Sequence, residues 1–128
     1  MAKPIVHESK AAPAPIGPYS QAVEMNGFLF CSGQIPLDPV SGQVKGATVA
    51  EQAEQVMANV KAVLAASDLT VKNVVKTTIF LTDMADFQSV NEVYSSHMGE
   101  TKPARSTVAV AGLPRGVKVE IEVLAARF

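Results

Sequence analysis

The chain has 128 residues and a mass of 13.5 kDa; 48% of its residues are hydrophobic, 18% are charged, and its mean hydropathy is +0.19. Eleven basic residues against twelve acidic ones leave a formal net charge of −1, which excludes the electrostatic footprint of a nucleic-acid or anionic-membrane binder. The single cysteine, Cys31, excludes an intrachain disulfide and a thiolate zinc centre, and it suits a reducing cytoplasm.

The length predicts one domain over residues 1–128 with a single core. The charged share lies below the usual roughly 25%, which points to apolar surface hidden in an oligomer interface. The N-terminal residues lack the apolar run of a secretory signal, and no apolar stretch approaches the roughly 18 residues of a membrane span.

Residues 10–18 carry three prolines and read as an extended lead-in, since proline supplies no N–H to a helix or central ladder. Tyr19 to Met25 and Phe28 to Ser32 flank Asn26-Gly27, the favoured pair of a two-residue type I′ turn, and predict a hairpin. Gly33 to Gly46 holds the turn signals Pro36, Asp38-Pro39 and Ser41-Gly42. Thr48 with Glu51 forms a capping box. Behind it, Val49, Ala53, Val56, Val60, Val63 and Leu64 recur at helical spacing until Ser67-Asp68. Val74 to Leu81 is largely apolar and β-branched, as in a buried central strand.

Asp83 or Asp86 can cap a second helix with the stripe Phe87, Val90, Tyr94 and Met98, which Gly99 would end. Ser106 to Val110 and Val117 to Ala126 alternate with period two around the turn residues 111–116. The order β-β-α-β-α-β-β predicts an α+β domain, a mixed sheet backed by two helices. One sheet face would be covered and the other left without a partner.

Pairing the last two strands as a hairpin suggests a register. Val117, Val119, Ile121 and Val123 form one apolar face, and Val108 and Val110 join it if 110 lies opposite 117. Arg105 and Thr107 would then share the uncovered face with Glu120 and Glu122. This cluster has two readings. One is a cross-strand ion pair between Arg105 and Glu122, worth about 0.2–1 kcal/mol. The other is a site for a small carboxylate, because guanidinium and carboxylate match through two parallel hydrogen bonds, with a glutamate able to activate water.

The run from Pro103 to Pro114, with Val119-Glu120-Ile121-Glu122, resembles the signature of the Rid/YjgF family. Ile16-Gly17-Pro18-Tyr19-Ser20-Gln21-Ala22, Ser32-Gly33-Gln34-Ile35-Pro36, and Asp86-Phe87 through Tyr94 are similar to further family segments, in the family's order. The resemblance implies a chorismate-mutase-like homotrimer with helices outward and active sites between subunits. It also implies hydrolytic deamination of reactive 2-imino acids or enamines, such as 2-iminobutanoate and 2-iminopropanoate, to 2-oxo acids and ammonia. Such reactive metabolites are released by dehydratases.

Carried onto this chain, the resemblance gives Arg105 the substrate carboxylate and Glu120 the attacking water. Tyr19, Ser32, Gly33, Asn91 and Thr107 would bind the substrate or shape the pocket. No metal or organic cofactor is implied, and neither nucleic acid nor membrane is an expected partner. Thr107 departs from the pattern, since well-studied deaminases often carry cysteine there. Two other functions compete, a carboxylate-binding trimer without turnover and an endoribonuclease or translation inhibitor. The small number of arginines and aromatics argues against an RNA groove.

The remaining candidates also have purely structural readings. Tyr19 can be a packed aromatic at a strand start, Ser32 can close a turn, and Asn91 can bond a backbone carbonyl. Cys31 reads as a small buried hydrophobe, His97 as a solvated helix residue and Arg115 as an exposed turn residue.

Overall fold

The computed structural model describes residues 2–128. Six strands form one sheet: β1 (Ile5–His7), β2 (Ala22–Met25), β3 (Phe28–Cys31), β4 (Val74–Leu81), β5 (Ala104–Ala109) and β6 (Val119–Ala126). Two helices, α1 (Val49–Ala65) and α2 (Phe87–Met98), complete the α+β architecture. The strand order is β1-β2-β3-β6-β4-β5. All neighbours are antiparallel except β4 and β5, which run parallel.

The predicted hairpin is present. Met25 faces Phe28 across Asn26 (φ 53°) and Gly27 (φ 80°), the two positive φ values a type I′ turn needs. The capping box is complete: the Thr48 hydroxyl accepts from the Glu51 amide, and the Glu51 carboxylate accepts from the Thr48 amide. All six residues of the predicted α1 stripe are buried. In α2, Val90, Tyr94 and Met98 are buried and Phe87 is half-buried. Gly99 (φ 60°) follows the helix, as its sequence position predicts.

Two expectations need correction. The lead-in is preceded by a strand, β1, which pairs with β2 through Val6 and Val23. Three residues are too short to show a period in sequence. The larger error concerns the last two strands, which do not pair with each other. β4 lies between them, parallel to β5 and antiparallel to β6. Strands adjacent in sequence pair only about two-thirds of the time. Here β6, which buries every other residue, and β4, which does so from Thr77 onward, take the sheet interior, and the polar β5 takes an edge.

The register through β4 sets the faces. Thr77 lies beside Arg105 and Val123, and Ile79 beside Thr107 and Ile121. These residues share the side on which β6 packs into the core with both helices. Phe80 lies beside Val108 and Glu120, and Thr78 beside Ser106 and Glu122, on the open side. Arg105 and Thr107 therefore lie on the helix side and Glu120 and Glu122 on the other. Val108 is also opposite to its predicted face, because a neighbouring strand with a different register inverts the alternation.

Candidate active site

Glu120 stands on β6 just where the chain after β3 joins the sheet. Gln34 and Ile121 exchange backbone hydrogen bonds of 2.8 and 3.1 Å, which bring Gly33 over the Glu120 side chain. A Cβ at position 33 would collide with the Glu120 carboxylate, so glycine is what allows this close approach. Burial raises the Glu120 pKa above the ordinary carboxylate range, and the nearby charge of Glu122 raises it further. A cleft of about 600 Å³ opens beside this carboxyl; Tyr19, Gly33, Gln34, Ile35 and Arg115 are among its lining residues.

Arg105 occupies a different cleft, with Asn91, Tyr94 and Lys102. Its Nη1 donates to Asn91 Oδ1 at 2.7 Å. Its guanidinium carbon sits 5.1 Å from the Tyr94 ring centre and 5.6 Å from that of Phe87, within cation–π range. Among the described residues no carboxylate lies within ion-pair distance of Arg105. One donor is committed and the rest of the fork is open. The expected ion pair with Glu122 is not formed, because the two side chains leave the sheet on opposite faces.

The other predicted residues divide between these places. Tyr19 is exposed in the Glu120 cleft. Ser32 is half-buried, and its hydroxyl donates to the Ser20 carbonyl at 2.6 Å, bracing the segment before β2. Thr107 is half-buried beside Ile79, and its hydroxyl oxygen is buried without a hydrogen-bond partner. Cys31 is half-buried, and burial pushes its thiol up to about 12, which makes it inert near neutral pH. His97 is not the solvated residue expected: its Nε2 is 2.8 Å from Glu54 on α1.

Three residues have a larger place here than their sequence positions suggested. Phe87 and Tyr94 belong to the apolar stripe of α2, yet their rings also flank Arg105. Arg115 adopts φ 61° in its turn and donates to the Gly42 carbonyl at 3.2 Å, tying that turn to the loop across the Glu120 cleft. The Pro-Arg-Gly turn was the only signal for it.

An open guanidinium and a sheltered carboxyl are groups that can hydrogen-bond a small polar molecule. The chain belongs to the Rid/YjgF family: the family model described as Endoribonuclease L-PSP matches residues 9–127. It is 54% identical over 127 residues to Protein DfrA of Myxococcus xanthus, covering 98% of this chain and 96% of that one. It is 49% identical over 114 residues to the mouse 2-iminobutanoate/2-iminopropanoate deaminase, covering 89% of this chain and 84% of that one. The crystal structure of E. coli TdcF with bound serine superposes with a TM-score of 0.91 at 43% identity, covering 97% of this chain and 99% of that one. No helix among the described residues is long and apolar enough to cross a membrane.

Proposed function

We propose that this protein hydrolyses 2-imino acids and their enamine tautomers, such as 2-iminobutanoate and 2-iminopropanoate, to 2-oxo acids and ammonia. The observation that carries this reading is the open fork of Arg105, held by Asn91 and two rings with no carboxylate of its own. A substrate carboxylate satisfies that fork with two parallel hydrogen bonds. The mouse relative's name supports the reaction.

The chemistry asks little of the protein. Anchoring the carboxylate fixes the electrophilic imine carbon against one water. The water oxygen bonds to that carbon while Glu120 takes a water proton. Glu120 passes that proton to nitrogen, which has received the C=N π pair, to give a carbinolamine. It then moves the carbinol O–H proton to the same nitrogen. As the oxygen pair forms C=O, the C–N bond breaks with its electron pair on nitrogen, so ammonia leaves the 2-oxo acid. Tyr19, Gly33, Ser32 and Asn91 shape the pocket, and Thr107 contributes a hydroxyl rather than a thiol nucleophile. No step draws on a metal or organic cofactor.

Arg105 and Glu120 lie in separate clefts on opposite faces of one chain, so a site using both takes them from different copies. A homotrimer closing the open sheet face supplies that arrangement. Val6, Phe28, Phe30 and Val108 lie on this face and are 42–63% exposed, which gives it apolar surface to bury. A second reading, a small-carboxylate binder without turnover, is favoured by the serine held in the E. coli structure.

A threonine dehydratase reaction distinguishes the two. Adding the protein speeds the appearance of 2-oxobutanoate, and Arg105→Ala weakens that effect by about 10- to 100-fold, the scale of a lost charge-assisted contact. Undiminished acceleration by Arg105→Ala would overturn the mechanism. A flat wild-type response together with 2-oxobutanoate binding would establish the second reading.

A further inference from the structure

Arg105 is on an edge strand and exposed, yet a guanidinium that must meet a substrate in one orientation needs more than a backbone to aim it. A long flexible side chain at such an edge samples many rotamers, and holding it in one has an entropic cost. Three contacts limit that freedom. Asn91 takes one N–H, and the Phe87 and Tyr94 rings flank the guanidinium.

The Tyr94 ring is itself held. Its hydroxyl lies 2.9 Å from Thr77 Oγ1, and both residues are buried. Thr77 is also the β4 neighbour of Arg105 in the parallel pair. The threonine that pairs with the Arg105 backbone thus anchors the ring beside its side chain. One relay joins β4, α2 and β5. An apolar residue at 77 would fill the same core space but leave the Tyr94 hydroxyl buried and unpaired.

We propose that Tyr94, anchored by Thr77 and assisted by Phe87, is a positioning residue for Arg105. It holds the guanidinium with its free donors facing the incoming carboxylate. This inference rests on the assignment of Arg105 to the substrate carboxylate. It adds how affinity for that group is maintained.

The test is a double-mutant cycle read by binding of 2-oxobutanoate to the full-length protein and by kcat and KM in the dehydratase-coupled assay. Tyr94→Leu removes the ring and raises Kd and KM about five- to tenfold, the scale of one cation–ring contact, while kcat changes little. Tyr94→Phe keeps the ring but loses its Thr77 anchor, so its loss of affinity is measurable and smaller than that of Tyr94→Leu. In an Arg105→Ala background, Tyr94→Leu has no further effect on binding. Phe87→Leu, at a half-buried position, repeats the cycle should Tyr94→Leu fail to fold. Equal losses with and without Arg105, or a loss in kcat alone, would mean that the ring supports only the fold and would overturn the proposal. If Arg105→Ala itself leaves 2-oxobutanoate binding unchanged, the carboxylate assignment beneath it fails instead.

Discussion

Glu120 shows how one residue's surroundings set its chemistry. Its carboxyl is half-buried under the Gly33 backbone with a second glutamate nearby, and both effects disfavour its charge. Its folded pKa is raised, so in the window above the ordinary carboxylate range the folded chain holds more protons than the unfolded one. Stability is then greatest below that window and declines as pH rises through it. Glu120→Gln removes the decline. The variant is expected to melt higher than wild type at neutral pH, with the difference vanishing in acid, as thermal unfolding across a pH series would record. The same change removes the proposed base and lowers kcat by about 10²–10⁴-fold. The wild-type rate should fall on the acid side at a pH above the ordinary glutamate range. Sequence reading singled out Glu120, but the close approach of Gly33 depends on a backbone bridge between Gln34 and Ile121 that has no local signature.

At the scale of the element, the most legible features were those with local causes. The α1 capping box satisfies the first amides of the helix within four residues, so it could be read directly from Thr48 and Glu51. Thr48→Ala leaves an amide without its acceptor and should cost about 1 kcal/mol, or about 4 °C in Tm, while the far strands β1 and β2 keep their exchange protection. Thermal melts with hydrogen exchange would check both parts. The hairpin was equally local, because Asn26 and Gly27 fulfil its backbone requirement by themselves. In contrast, β1 is held by distant partners. It pairs with β2, and His7 and Arg127 converge on Glu24 at 2.9–3.0 Å, tying the start of the chain to its end. These residues span almost the whole sequence, and no pattern within a window links them.

For the whole molecule, the decisive fact is that Arg105 and Glu120 leave the sheet on opposite faces. A site between copies predicts complementation. Arg105→Ala alone should keep at most about a tenth of the activity, and Glu120→Gln about a hundredth or less. Trimers co-refolded from an equal mixture should form about a quarter of their sites intact, each taking Arg105 from one copy and Glu120 from its neighbour. Activity near that fraction of wild type is the expected result. No recovery in verified mixed trimers would mean that both groups act from one copy. The low charge content is consistent with such an assembly, since the open face carries Val6, Phe28, Phe30 and Val108.

By itself the sequence determined the helices and their buried stripes, the first hairpin, the α+β class and the family resemblance. Each depends on spacing or on short motifs. Only the tertiary structure decided which strands are neighbours, and with that the face on which each functional side chain lies. Alternation shows that a strand has two faces, but it does not name the strand beside it. Inserting β4 between β5 and β6 moved Arg105 away from Glu122 and against α2, where Asn91, Phe87 and Tyr94 hold it. The physical reason is burial: β4 and β6 each have a side to place in the core, and setting them together in the sheet interior outweighs the short loop that would have paired β6 with β5.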